Sequence, residues 1–341
     1  MEGVRLAGVS YRYRKSNFLL DVKDFSAKKG EVVCLLGLSG CGKSTILKLI
    51  AGLERTNTGT IEVNGRKVDD VEKNIHIPTE KRNIGLIFQH PSLFHHQTVE
   101  ENVAFAVRES SKDAKIKRAR EVLESIGMYS HKDAYPHMLS GGQQQLVTIA
   151  RTIAQKPEIF LLDEPFSNLD VILRERIRTD VLALIKSENI TVLFVTHDPE
   201  EALDVADKIY VIKEGKIIQS GTPDEIYSSP KDVSLARFFG RLNYFEAVVK
   251  DGCVSLDLGK IKADSFEDGS RVAVCIRPDA LVQRRSGGAA AVVRLVKFFC
   301  NMVYISVDSS YWMKFSGRVL PRVGDVVHVS LDSSKALLFR L

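Results

Sequence analysis

One run of residues limits what this chain can fold into more than any other: Gly37-Leu38-Ser39-Gly40-Cys41-Gly42-Lys43-Ser44-Thr45. It satisfies G-x-x-x-x-G-K-[ST], the pattern of a phosphate-binding loop. The apolar run Val32–Leu36 before it reads as a buried strand. After it, Ile46, Leu47, Leu49 and Ile50 recur at helical spacing, and Gly52 is placed to end the helix. This is the strand–loop–helix context that the pattern requires. Glycines let backbone N–H groups turn inward around phosphate oxygens, and the helix N-terminus adds partial positive charge. Lys43 is then expected to reach the β- and γ-phosphates of a nucleotide, and the Ser44 hydroxyl to sit on Mg²⁺.

A second acidic motif points from nucleotide binding to hydrolysis. Ile159-Phe160-Leu161-Leu162 delivers Asp163 and Glu164 at the carboxyl end of a compact apolar strand, where α/β proteins place ligands. Successive strand residues face opposite ways, so the two acids can take separate tasks. Asp163 is expected to bind Mg²⁺, directly or through water. Glu164 is expected to polarise the attacking water as general base.

Shortly before that strand stands Leu139-Ser140-Gly141-Gly142-Gln143. Ser140 is a good N-cap, and the helix behind it has an apolar face of Leu146, Ile149, Ala150 and Ile153. The glycine-flanked start makes a second anion site at a helix N-terminus. One nucleotide does not need two such sites from one chain. A head-to-tail pair of subunits, each closing the other's nucleotide, is the economical arrangement.

These motifs resemble those of the ATP-binding cassette (ABC) ATPases, over about Val4–Gly240. Leu139 to Gln143 matches the family signature. The resemblance implies that Gln89 senses Mg²⁺ and a transmembrane partner, that Ser167-Asn168-Leu169-Asp170 is the D-loop, and that His197 contacts the γ-phosphate. Tyr13 aligns with the aromatic that stacks on adenine, with Tyr11 its rival. The implied fold is an α/β P-loop NTPase, residues 1–240, with an antiparallel β patch and a helical subdomain at about 90–155. Beyond Gly240, short β-like runs alternate with Gly- and Asp-bearing turns, and Ile276-Arg277-Pro278 stands in a family-like position. Residues 241–341 therefore resemble a small all-β, OB-like or TOBE-type module with a regulatory or dimerising role.

The resemblance implies the energy-coupling ATPase of a binding-protein-dependent importer. Such proteins work as homodimers beneath a transmembrane permease fed by a substrate-binding protein, peripherally at the cytoplasmic face of the inner membrane. ATP and Mg²⁺ are the implied cofactors. The wording of Pro78–Gln89 and Asp163–Asp170 leans towards ferric iron; sugar, polyamine, sulfate and phosphonate importers share much of it. A non-transport ABC ATPase is the other alternative, but no coiled coil separates Gln89 from Ser140, and the chain has one phosphate loop. Two positions depart from the family: Leu146 replaces an Arg, and His95 replaces a Pro where the permease would dock.

Composition agrees with this class. The length of 341 residues suggests two domains, and a formal charge of +5 without a long basic block argues against nucleic acid as partner. Lys115–Arg120 reads as a solvated helix face. Five cysteines with no C-x-x-C pair point to a reducing compartment. A pKa lowered beside helix amides would make the Cys41 thiol reactive. No apolar run approaches the ~20 residues of a spanning helix, and no apolar signal segment opens the chain.

Overall fold

A computed structural model of the chain describes residues 2–13, 17–88, 91–165, 178, 181, 183–186, 188–284, 287–297, 302–307, 309–315 and 320–341. Two compact units emerge, Met1–Pro223 and Asp224–Leu341. The change in sequence texture near Gly240 falls inside the second unit, because residues before it pack there. Arg277, for example, donates to the Tyr227 carbonyl at 2.6 Å and lies 3.5 Å from that ring's centre.

The first unit is organised by one long sheet. Its strands are β1 (Glu2–Arg12), β2 (Leu19–Lys28), β3 (Val32–Leu36), β4 (Thr58–Val63), β5 (Arg66–Asp70), β6 (Ile75–His76), β7 (Ile84–Ile87), β8 (Ile159–Asp163), β9 (Thr191–Thr196), β10 (Lys208–Lys213) and β11 (Lys216–Gly221). Their spatial order is β6-β5-β4-β1-β2-β11-β10-β3-β9-β8-β7. The limb from β10 to β7 is parallel. Its strands β3 and β9 are buried at every position, as expected where both faces are covered. The limb from β1 to β6 is antiparallel and alternates buried with exposed residues, the expected β patch. Asn64-Gly65 turns β4 into β5 and Glu214-Gly215 turns β10 into β11, with positive φ at all four residues.

Helix α1 (Lys43–Ala51) follows β3 and packs Ile46, Leu49 and Ile50 into the core. Gly52 ends it in a left-handed conformation at φ 80°, with its N–H on the Leu49 and Lys48 carbonyls. From Thr98 to Ala154 the residue pattern predicts helix, and the stretch resolves into α2 (Val99–Phe105), α3 (Lys112–Ser125) and α4 (Gly141–Ala154). Gly127 at φ 72° and Pro136 in a short turn break the run. Basic residues of α3 are more than a solvated face: Arg118 pairs with Glu188 at 3.0 Å and Arg120 with Glu100 at 2.5 Å. The spacing of apolar residues predicts an amphipathic helix over Val171–Lys186, a stretch largely outside the described residues, of which 183–186 are helical. In helix α5 (Pro199–Val205) the sequence pattern predicts a capping box, with Asp198 as N-cap, Pro199 at the first helical position and Glu201 three residues on; Asp198 does cap the helix, but the reciprocal half of the box does not form. The Asp198 N–H instead goes to the Thr196 hydroxyl, which donates to Glu201 at 2.5 Å.

The second unit is mostly β. Strands β12 (Asn243–Val248), β15 (Arg271–Ile276) and β21 (Ala336–Arg340) form one sheet, β13 (Cys253–Leu256) and β14 (Gly259–Lys262) a hairpin. A third sheet runs β16 (Leu281–Arg284), β20 (Val326–Leu331), β17 (Ala289–Lys297), β18 (Met302–Ser306), β19 (Ser310–Lys314). Val303, Ile305, Tyr311, Met313 and Val329 fill their shared core. Trp312 faces the other way, with Arg241 4.1 Å from its ring centre.

Arg82 is a buried cation of the first unit, 3% exposed. Its guanidinium donates to the carbonyls of Leu49, Ile50, Ile77 and Val68, and lies 3.6 Å from the fully buried Asp69. Two of those carbonyls, Leu49 and Ile50, belong to the last turn of α1. Arg82→Met leaves them and the Asp69 carboxylate without that partner. It is expected to lower unfolding free energy by about 3–5 kcal/mol in urea titration. Arg82→Lys recovers little, lacking the fork of donors.

Candidate functional site

The site lies at the carboxyl ends of β3, β8 and β9, where three segments leave the sheet side by side. Gly40 and Gly42 of the loop after β3 take φ values of 79° and 105°. A Cβ on Gly42 would come within 2.8 Å of Phe18 Cζ, and one on Gly37 within 2.2 Å of the Ile212 carbonyl oxygen. Glycine is thus required at Gly37 by packing, and at Gly42 by packing and backbone conformation together. Around Gly40 nothing lies within 4 Å of the Cβ position, which leaves the cradle open.

Lys43 is 5% exposed, and its ammonium donates to the carbonyls of Gly37 at 2.7 Å and Leu38 at 3.0 Å. The next residue makes the central connection: Ser44 Oγ donates to Asp163 Oδ1 at 2.8 Å. Burial pushes the Asp163 carboxyl above its usual range, and the Ser44 hydrogen bond opposes that shift. Glu164 leaves the strand at φ 47°, a left-handed conformation uncommon for a non-glycine residue. Its N–H reaches the Val195 carbonyl on the neighbouring strand at 3.2 Å. Its Oε1 lies 3.1 Å from His197 Nδ1, just beyond the end of β9.

A cleft of about 320 Å³ opens over these groups, lined by Tyr13, Phe18, Ser39, Gly40, Gly42, Lys43, Ser44, Thr45 and Glu164. The Tyr13 hydroxyl shares a 3.2 Å hydrogen bond with Thr45 Oγ1. Tyr11 packs edge-on against Tyr13 at 4.8 Å but is itself 7% exposed, donating to Glu54 at 2.6 Å. Of the two tyrosines only Tyr13 lines the cleft. Phe18 was not singled out from the sequence; its signal is an aromatic at the end of a loop between two alternating strands.

Cys41 is 7% exposed, and burial raises its thiol pKa, against a lowering by Lys43. The reactive thiol considered from the sequence is thereby corrected: desolvation outweighs the nearby positive groups. Leu38 is 69% exposed at the rim. Gln89 and Asp170 lie outside the described residues. Ser140, Gly141, Gly142 and Gln143 are not brought to the cleft. They start α4 elsewhere on the first unit, with Ser140 and Gly141 exposed and a closed capping box between Ser140 and Gln143.

The donor set fits the group expected from the sequence. An open cradle of backbone amides with a buried ammonium suits a polyphosphate. A hydroxyl and a carboxylate oxygen at hydrogen-bond distance suit a hard divalent cation such as Mg²⁺. A glycine loop between a buried strand and a helix, with Asp163 and Glu164 ending a nearby parallel strand and His197 beside Glu164, defines the class as a cassette-type NTPase.

Comparison with known proteins refines the class. The sequence profile of the ABC transporter family matches residues 20–167. Spermidine/putrescine import ATP-binding protein PotA of Nitratidesulfovibrio vulgaris is 38% identical over 289 residues, 82% of this chain and 77% of that protein. PotA of Escherichia coli K12 is 40% identical over 292 residues, 82% and 75% of the two chains. Among solved structures, cbiO1 from Clostridium perfringens, part of the ABC transporter complex cbiONQ, matches with a TM-score of 0.61. Its identity is 29%, and the match covers 69% of this chain and 94% of that one. The ATP-binding cassette MJ0796, in a dimeric post-hydrolysis state bound to ADP and Pi, matches with a TM-score of 0.55. Its identity is 32% over 64% of this chain and 98% of that one. The chain belongs to the ABC transporter ATP-binding proteins, enzymes that hydrolyse ATP to power transport. The lean towards ferric iron is not supported, since these import relatives are named for spermidine and putrescine.

Two outcomes follow from the electrostatics of the site. Asp163→Asn keeps an acceptor for Ser44 and removes a carboxylate whose ionised form is disfavoured by burial. Its thermal midpoint is expected to exceed wild type at neutral pH. The gain shrinks as pH falls, because the wild-type carboxyl then protonates above its unfolded-state range. Alkylation of Cys41 by iodoacetamide at pH 7.5, followed by mass spectrometry, is expected to run roughly tenfold or more slower than for an exposed thiol.

Proposed function

We propose that this chain is the ATP-hydrolysing subunit of a polyamine importer, acting as a head-to-tail homodimer beneath a transmembrane permease. One observation carries the dimer. The cleft gathers the phosphate loop, Glu164 and Tyr13, with Asp163 and His197 behind, yet lacks the exposed helix start at Ser140. A second copy can supply that start, and the structural relative MJ0796 is described as dimeric. Identities of 38% and 40% to spermidine/putrescine import proteins support the cargo class.

In this reading Tyr13 stacks on adenine, while amides of Gly37 to Thr45, those of Leu38, Ser39, Gly40, Cys41 and Gly42 included, cradle the phosphates. Lys43 offsets β- and γ-phosphate charge, and Ser44 and Asp163 hold Mg²⁺, which supplies charge neutralisation when bound. Glu164 takes a proton from the attacking water. His197, bonded through Nδ1 to Glu164, orients that carboxylate and contacts the γ-phosphate. The partner's signature residues, Ser140 to Gln143, complete the oxygen shell with helix N-terminal amides. Gln89 links the metal site to the permease, and Asp170 lies at the dimer seam. Exposed His95 and His96 follow Gln89 on a segment that Asn102 pins through Phe94 and Gln97, which suits a docking surface. The β unit serves as a TOBE-type regulatory or dimerising module. A substrate-binding protein delivers cargo to the permease, and the cassettes sit at the cytoplasmic face of the inner membrane. Among the described residues no helix is long and apolar enough to cross a membrane.

Glu164→Gln is expected to keep ATP affinity, slow turnover by about 10²–10⁴-fold and elute as a dimer with ATP and Mg²⁺. A strictly monomeric ATP-loaded variant, alone and with its permease, ends the dimer reading. Vesicles carrying chain, permease and binding protein should accumulate labelled spermidine with ATP; uptake of a sugar or sulfate instead ends the polyamine assignment.

A further inference from the structure

The start of α4 is held by more than its own cap. Gln143 Oε1 accepts from the Ser140 N–H at 2.9 Å, and Ser140 Oγ accepts from the Gln143 N–H at 3.3 Å. Only an oxygen can accept from that N–H, so the amide nitrogen of Gln143 points the other way. It meets His131 Nε2 at 3.2 Å. The imidazole is therefore the acceptor at Nε2 and keeps its proton on Nδ1, which faces Ser130 Oγ at 3.0 Å. His131 itself ends a short turn, with its N–H on the Met128 carbonyl and its own carbonyl taken by Ala134. The neighbouring Gln144 ties the same segment down, donating to the carbonyls of Pro136 and Leu139 at 3.0 and 3.3 Å.

We propose that His131 is a positioning residue for hydrolysis: its Nε2 locks the Gln143 carboxamide and so presets the helix start that serves the partner's nucleotide. The inference rests on the dimer reading above. A flexible glutamine has to be immobilised before a capping box can present N–H groups in one geometry. His131 supplies the outer end of that lock, across twelve residues of sequence. Its contact is to the signature segment and to none of the residues lining the cleft. The effect of removing it thus falls on closure by a second copy, not on nucleotide binding by the same chain.

Three variants separate the hydrogen bond from the bulk of the ring. His131→Gln restores an acceptor oxygen at the Nε2 position; His131→Leu removes the acceptor; His131→Lys presents only donors to the Gln143 amide. By amide hydrogen exchange of the full chain, residues 140–143 are expected to exchange roughly fivefold faster in His131→Leu and His131→Lys, and as wild type in His131→Gln. In the Glu164→Gln background, ATP-driven association should weaken by a similar factor in the first two. Binding of a fluorescent ATP analogue to the monomer and the thermal midpoint should stay unchanged. Unchanged exchange in both disruptive variants overturns the lock, whatever the oligomeric state. Faster exchange with undiminished association overturns the positioning role. Should the Glu164→Gln parent itself stay monomeric, the dimer reading and with it the positioning role fall, while exchange alone still decides whether the lock exists.

Discussion

The hydrogen bond from Ser44 to Asp163 is the joint on which the nucleotide site depends. Ser44 lies in the first turn of the helix after β3, and Asp163 ends β8; in the sheet β9 lies between those two strands. The bond therefore spans one intervening strand and brings the phosphate loop and the acidic strand to a common cleft. It also gives a carboxylate that burial disfavours one fixed partner. Parallel pairing of β3, β9 and β8 puts their carboxyl ends in register, so His197 arrives beside Glu164 from the middle strand.

The unfavourable elements gather at that edge. Glu164 sits at positive φ, Asp163 is desolvated, and Lys43 is buried against carbonyl oxygens. Backbone strain and desolvation persist where surrounding structure over-determines them. Here the surroundings are the fully buried β3 and β9 and the α1 helix, whose far end Arg82 closes with two of its carbonyl contacts. Stability at one end of α1 thus supports a costly arrangement of charge at the other.

The helical segment and the second unit follow a different logic. The start of α4 is fixed by a reciprocal cap between Ser140 and Gln143, yet keeps Ser140 and Gly141 exposed, a preformed surface with no counterpart in its own chain's cleft. In the second unit, Tyr311 and Met313 point into the core while the intervening Trp312 faces Arg241 and Lys297. Strand alternation, not overall hydrophobicity, decides which aromatic is inside.

Much of the nucleotide site was legible because its chemistry is local. A loop of glycines between an apolar strand and a helical repeat has few other conformations, and the Asp163-Glu164 pair follows its strand directly. The Ser140 cap and the apolar face of α4 were readable from spacing for the same reason. What required tertiary structure were relations between distant segments and balances of opposing terms. Whether Tyr11 or Tyr13 faces the cleft turns on Glu54, forty-three residues away, which engages Tyr11. Whether Cys41 is activated turns on burial against Lys43, and the cap of α5 on Thr196 rather than Glu201. Short strands such as β13, β14, β16, β19 and β21 went unread because four or five residues carry too little periodicity, and only their partners across the sheets define them. The sequence by itself determined the phosphate loop, the acidic strand and the helix start, since each is written in consecutive residues. Only the tertiary structure decided which of them share a cleft, because long-range strand order, not local preference, sets what meets what.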